Sequence, residues 1–487
     1  MGEQITRQYP DHPAKSHYDA IVIGSGPNGL SAAIEIARAG RSVLVVEARD
    51  TIGGGTRTKS LGNPGFLHDI CSAVHPMAMA SPFFKSVPLA EFGLEWVKAD
   101  FPIAHPLEGG REAFMAQSID QTAAQFSKRD EIAYRTLLAP LVEDGEKLMH
   151  DLLGPFKIPS HPFAMAKFGL KAMRPAKSFA EGKFHSEEAR ALFAGNAAHS
   201  IQPLENIFTS AIGIMLMVAG HMVDWPLPKG GSQSIANAMA AYLESLNGEI
   251  LCGVDVKNLS DLPAAEVYLF DTSPRALVDI AGEKLTEDYR RQVANYRHGP
   301  GVFKIDWELN APIPWKGEAS RRACTVHVGG NLEEIAISES DCWNGRHSEK
   351  PFTLVVQPSL FDETRAPKGK HTGWAYCHVP AGSTVDCTEA IEAQVERFAP
   401  GFRDCIDQRH TMNCADFERY NPNYVGGDII CGVQDWRQMF TRPVMQLNPY
   451  QTTNPDLFIC SSATPPGGGV HGMCGYWAAQ SALKRLR

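Results

Sequence analysis

Six residues near the start constrain this chain more than any others. Gly24-Ser25-Gly26-Pro27-Asn28-Gly29 reads GxGxxG. It follows the β-rich, continuously apolar run 18–24, YDAIVIG, which has the composition of a central parallel strand. A helix is predicted over 30–39, then a second strand over 42–47, SVLVVE. Strand, Gly-rich turn, helix and strand make one βαβ unit. Gly24 allows the tight turn, Gly26 lets the backbone approach a pyrophosphate, and Gly29 lets the helix pack closely on the strand. The helix start offers free N–H groups and a positive dipole end to the phosphates. Glu47 ends the second strand, where an acidic side chain holds ribose hydroxyls. A ligand-free turn is the bland alternative; the strand–helix context and Glu47 weigh against it.

Composition narrows the field. The chain has 487 residues, 44% hydrophobic and 21% charged, enough to bury a large core and too apolar for global disorder. Its length suggests roughly three domains or two large interleaved ones. The net charge of −9 and the lack of a basic run argue against a nucleic-acid partner. Eleven cysteines without a CxxC pair imply reduced thiols in a cytoplasmic setting and give a metal site no support. The N-terminal residues lack a secretory h-region. MGEQIT fits the N-myristoylation pattern through Gly2 and Thr6, a match short enough for chance. The apolar run 207–223 approaches the length of a bilayer span, but contains Ser210, His221 and two glycines without flanking cations. It reads as a buried helix or tunnel wall.

Further along, residues 120–220 look mostly helical, 230–256 read as helix then strand, and 300–440 alternate strands with turns and a helix over 388–398. Arg49, Gly53, Gly54 and Thr58 match RxxxGGxxxT, the piece that follows the acidic residue in one large flavoprotein superfamily. Its glycines let the chain pass close to a cofactor, and Arg57 and the threonines can meet phosphate. At the far end, strand 457–460 leads into SSATPPGGGVHG and a helix start, which again aims backbone N–H groups at an acceptor.

With these motifs, and with HDICSAVHPM (68–77), LPKGGSQSIANAM (227–239), HGPGVFKIDWELNAPIPW (298–315) and NPNYVGGDI (421–429), the chain resembles the phytoene desaturase-like branch of the FAD-dependent amine oxidase superfamily. Within it, the chain is similar to the pyridine nucleotide-disulfide oxidoreductase domain-containing protein 2-like group. The resemblance implies an α/β fold: a Rossmann-type FAD-binding domain assembled from 17–75, 228–300 and 440–487, after a tail over 1–16. An α+β substrate domain with a helical cap would span 76–227 and 301–439. It implies non-covalent FAD, with Ser462, Gly469 and Val470 near the flavin and Val254 meeting adenine through its backbone. It also implies hydride transfer from an apolar, unsaturated small molecule. Two departures count. Ser461 stands where carotenoid desaturases carry Gly, and the C-terminal turn lacks the acidic residue of true amine oxidases. Two rivals stay open: a FAD-dependent oxidase or dehydrogenase of a small polar amine, and a flavin-holding regulator without turnover. Disulfide chemistry lacks its CxxC or CxxxxC.

His75 and His471 are the catalytic candidates, since each falls near the expected flavin and imidazole titrates near neutrality. A hydrogen-bonded core histidine is the competing reading for both. Cys71 and Cys474 read as small core residues. Over 163–177, Lys167, Lys171 and Arg174 share one helical stripe while Met165, Phe168 and Ala172 mostly share another. Two readings follow: a solvated cap face, or peripheral membrane contact at a tunnel mouth. Homo-oligomerisation stays open.

Overall fold

The computed structural model describes residues 9, 10 and 12–487. Gly2, Thr6 and much of the tail expected over 1–16 lie outside the described residues. Five parallel strands form the first sheet, in the order Leu457–Ile459, Ala264–Phe270, His17–Ile23 (β1), Val43–Val46 (β2), Glu249–Leu251. β1 is central, so both its faces are covered. Ala20 and Val22, with Val43 and Val45, pack in the main core, whereas Ile21, Ile23, Leu44 and Val46 pack in the opposite layer. Each such aliphatic side chain contributes about 1.5–3 kcal/mol when fully buried.

Helix α1 (Pro27–Arg38) begins with Pro27 in its first turn, where a missing N–H costs nothing, and stops before Gly40, whose φ is +75°. The last helix, Met473–Arg485, packs on α1 through Gly475: a Cβ there would lie 1.8 Å from the Asn28 carbonyl oxygen. Segments more than 400 residues apart thus build one dinucleotide-type layer.

The second sheet has seven strands, ordered Ile406–Met412, Gly301–Leu309, His371–Val379, Thr353–Val356, Ala323–Val328, Phe101–Pro106, Glu112–Met115. Its neighbours are antiparallel except Ala323–Val328 with Phe101–Pro106. One face, with Ile305, Trp307, Val355 and Cys377, packs on helix Thr388–Phe398. The other carries Leu354, Val356, Trp374 and Tyr376 toward the first domain's cavity. The helix over 388–398 falls where the sequence reading places it. The two strands over 101–115 carry no comparable signal, because Pro102 and Pro106 interrupt the first of them.

Seven α-helices between Ile119 and Val223 form a cap. The apolar run 207–223 yields helix Thr209–Val223, and its residues Ile212, Met215 and Leu216 wall the cavity. No described helix is long and apolar enough to cross a membrane.

Candidate functional site

One cavity of about 920 Å³ runs from the Gly-rich turn to the cap. That volume suits a drug-sized ligand or a cofactor with substrate. At one end lie Gly24, Gly26, Glu47, Arg49, Val254 and Asp271; at the other lie Phe156, Met165, Phe168, Phe208 and Phe440. The C-terminal turn supplies Ser461, Ser462, Gly469, Val470 and His471 between them.

The glycines do what the motif requires. Gly24 has φ +103°, and a Cβ on Gly29 would lie 2.1 Å from the Gly24 carbonyl oxygen, so strand and helix meet only because Gly29 is bare. Gly53, with φ +115°, donates its N–H to Ser25 O at 3.0 Å, and a Cβ on Gly54 would sit 3.1 Å from Gly26 Cα. The paired glycines thus bring a second segment against the first turn. Gly54 faces the cavity; Gly53 is absent from its wall.

Glu47 is held by four protein donors. Its Oε2 accepts from Ser25 N at 3.1 Å and Ser25 Oγ at 2.5 Å; its Oε1 accepts from Arg49 N at 2.9 Å and Arg57 Nη2 at 3.0 Å. A carboxylate has about four lone-pair sites, so a ribose hydroxyl has to share them. Arg57 lines the cavity, and its guanidinium is already engaged by protein groups. It is buried, paired with Glu47, bonded to Thr51 O at 2.7 Å, and set over the Tyr420 ring. Thr58 departs from expectation: it lies outside the cavity wall, and its Oγ1 donates to Asp69 and accepts from Gln233 N–H. The Val254 N–H is spent on the Glu47 carbonyl at 2.9 Å, although the residue lines the cavity.

Two polar residues at this end carry no sequence signal. Asp271 follows strand Ala264–Phe270, and its Oδ2 accepts from Gly29 N–H at 2.9 Å, lying where a Gly26 Cβ would collide with it. Burial pushes its carboxyl up to about 7; the Glu47 charge adds to this, while N–H donors from Gly29 and Gly26 oppose it. Arg442 is buried, with no carboxylate partner among the described residues. Its guanidinium donates to Ser462 O at 2.7 Å and Ala463 O at 3.2 Å, on the cavity wall beside the C-terminal turn. An uncompensated buried cation and a bare helix N-terminus fit an anionic dinucleotide. Asn28 Oδ1, on the same wall, is buried without a protein partner and offers it a further polar contact.

The raised Asp271 carboxyl gives a stability prediction. A carboxyl that binds its proton more tightly folded than unfolded contributes fully below the unfolded pKa of about 3.9, and loses that contribution as pH rises through the folded pKa. Asp271→Asn should therefore melt progressively higher than wild type as pH goes from about 4 to about 7. The difference should level off above that. Paired melting curves across pH 4–9 check this; a pH-independent difference contradicts it.

The two catalytic candidates separate. His471 has both ring nitrogens engaged: Nδ1 accepts from Met473 N–H at 3.0 Å and Nε2 lies 3.2 Å from Gly467 O. Its side chain secures the start of the last helix, so it has no nitrogen left for proton transfer. His75 lies on the wall, with Nε2 at 2.8 Å from Ser232 Oγ, which itself donates to Ser72 O at 2.7 Å. Ser232 has one proton, so His75 must donate, and the assigned proton sits on Nε2. Its Nδ1 is buried without a protein partner, and burial lowers the ring to about 4. His75 is thus a neutral acceptor at physiological pH.

His199 was not singled out by sequence. It lines the cavity, and its Nε2 lies 3.1 Å from Nε2 of His327. Burial takes both rings far down, His199 to about 3, so the pair is neutral and one proton lies between them.

Comparison with known proteins fits this geometry. Residues 22–84 match the family described as NAD(P)-binding Rossmann-like domain. The chain is 26% identical to mouse (Mus musculus) pyridine nucleotide-disulfide oxidoreductase domain-containing protein 2, over 97% of this chain and 94% of that protein. It is 23% identical to a Paracoccus sp. phytoene desaturase (lycopene-forming), over 94% and 95%. The solved structure of putrescine oxidase bound to putrescine matches with a TM-score of 0.62 at 16% identity, covering 96% of this chain and 98% of that one. The structural likeness, at 16% identity, shows a shared fold, and the two relatives matched along nearly the whole chain are named as an oxidoreductase domain-containing protein and a desaturase.

Proposed function

We propose that this protein is a non-covalent FAD enzyme that removes a hydride from an apolar, unsaturated, isoprenoid-like substrate. The observation that carries this reading is the division of the cavity. All four lining carboxylates, Glu47, Asp255, Asp271 and Asp279, belong to the dinucleotide layer, while the cap end is walled by Met165, Phe168, Met173, Phe208, Ile212 and Met215. An amine substrate needs an acidic or strongly polar partner there; a hydrocarbon chain needs only dry apolar wall.

Bound FAD supplies the hydride acceptor, the flavin N5. The α1 N-terminus and Arg442 would hold its anionic part. His75 Nδ1 and His199 offer neutral acceptors for the proton that leaves when a C–H pair becomes a double bond. Cys71 lines the cavity, but burial pushes its thiol up to about 11, which makes it a poor nucleophile for covalent flavin attachment.

One observation favours the amine reading. Trp374, Tyr376, Tyr420 and Tyr424 line the cavity, and aromatic faces attract cations. Anaerobic holoenzyme mixed with phytoene or with putrescine decides between them. We expect phytoene to bleach the flavin absorbance and putrescine to leave it unchanged. Bleaching by putrescine alone would reverse the assignment, and bleaching by neither would favour the regulator.

A further inference from the structure

We propose that His150, Asp151 and His161 form a binding site for a divalent transition-metal ion of the zinc class, which staples together the two ends of one cavity-wall loop. The proposal does not rest on the functional reading above.

The three residues come from two elements. Helix Gly145–Leu152 carries His150 and Asp151 in its last turn, and His161 immediately precedes helix Pro162–Ala172. The loop between them contributes Leu153, Gly154 and Phe156 to the cavity wall. Ten residues separate the histidines, more than the about three to five usual between paired zinc histidines, so the sequence carries no motif for them. The fold brings them together.

Asp151 is the centre of the group, its side chain only 2% exposed. Its Oδ1 accepts from Ser160 N–H at 3.1 Å and its Oδ2 from His161 N–H at 2.8 Å. These two bonds hold the far end of the loop by themselves, and they fix the carboxylate as the hydrogen bonds behind a metal ligand do. Each oxygen keeps one further lone-pair site. His150 Nδ1 lies 3.1 Å from Oδ1, and His161 Nδ1 lies 3.3 Å from Oδ2. The ligand atoms of all three residues lie within 4.8 Å of one another. Zinc bonds of about 2.0–2.1 Å set tetrahedral ligand atoms about 3.3–3.4 Å apart. Two edges of such a tetrahedron are therefore in place.

The donor set selects the ion. Imidazole nitrogens suit zinc, nickel and copper, whereas magnesium and calcium take oxygen ligands. The His150 and His161 side chains are 46% and 35% exposed, so an ion reaches them from solvent and water completes its coordination. Hydrogen bonding alone is the competing explanation, with each ring donating Nδ1–H to Asp151. That explanation predicts no metal uptake.

The test titrates Zn2+ into purified, chelator-treated protein against a coloured zinc indicator. We expect wild type to bind one equivalent more than His150→Ala/His161→Ala, a comparison that cancels ions held at other thiols and imidazoles. Either single substitution should weaken that equivalent by at least the about tenfold to hundredfold lost when a ligand's hydrogen-bond partner is removed. Excess Mg2+ should leave it bound. The histidines are substituted because Asp151 also holds two backbone N–H groups. A wild-type melting curve without metal verifies the fold of the double variant, and the single variants carry the same comparison if it fails. Hydrogen exchange of the amides over 154–160 should slow with Zn2+ in wild type only. Equal Zn2+ stoichiometry and affinity in wild type and both single variants overturns the site. Binding that leaves this exchange unchanged overturns the staple. Neither measurement depends on turnover, so either failure leaves the functional reading standing.

Discussion

Gly29→Ala should yield protein that retains little flavin and melts well below wild type. The added Cβ would lie 2.1 Å from the Gly24 carbonyl oxygen and 3.0 Å from Asp271 Cβ. The first contact is with backbone, so no side-chain rotation relieves it. Either α1 lifts from the sheet or the turn opens, and each spoils the cradle for the dinucleotide. Overpacking of this kind costs about 3 kcal/mol. Gly40→Ala is the matched control: Gly40 also has a positive φ, +75°, but nothing lies within 4 Å of its Cβ position. That variant should lose about 1 kcal/mol from backbone strain and keep its flavin. Flavin content per protein and the melting temperature distinguish the two. Full flavin and a wild-type melting curve in Gly29→Ala would contradict the geometry described above.

Arg442→Met should weaken FAD binding by about tenfold to a hundredfold. A charge-assisted hydrogen bond contributes about 1.5–3 kcal/mol, and each 1.4 kcal/mol is a factor of ten in affinity. The arginine does two things. It braces the Ser462 and Ala463 carbonyls of the C-terminal turn, and it sets a buried positive charge on the cavity wall. Arg442→Lys separates these effects, because it keeps the charge and loses the planar fork. Intermediate retention in the lysine variant is the expected result. Titration of apoprotein with FAD, followed by flavin fluorescence, measures all three proteins. Equal affinity across them would remove Arg442 from the cofactor site.

The βαβ unit was legible because its signals are local. Strand composition, glycine spacing and the closing acid all fall between Tyr18 and Glu47. The likeness to flavoproteins likewise rests on short contiguous motifs. Side-chain partnerships are another matter. Arg57 sits in a motif that suggests phosphate, yet a buried guanidinium beside Glu47 is satisfied first by that carboxylate. Asp271 meets Gly29 across 242 residues, and His199 meets His327 across 128. No spacing rule reports such pairs, because tertiary packing creates them. The cap helix shows the same limit in a milder form. Periodicity divided its residues into faces, but only the packed structure decides which face meets the cavity and which the outside. His471 shows a related limit: its place in the C-terminal turn on the cavity wall was readable, and the use of both its nitrogens was not.

The central claim is that the cavity holds FAD, bound without a covalent link and poised against an apolar substrate chamber. The most direct measurement is the visible spectrum of the purified protein, repeated on the supernatant after denaturation. The account predicts a flavin spectrum in the native protein that passes entirely to the supernatant, identified there as FAD. A colourless protein that also fails to take up added FAD would contradict it, and flavin remaining with the precipitate would contradict the non-covalent assignment.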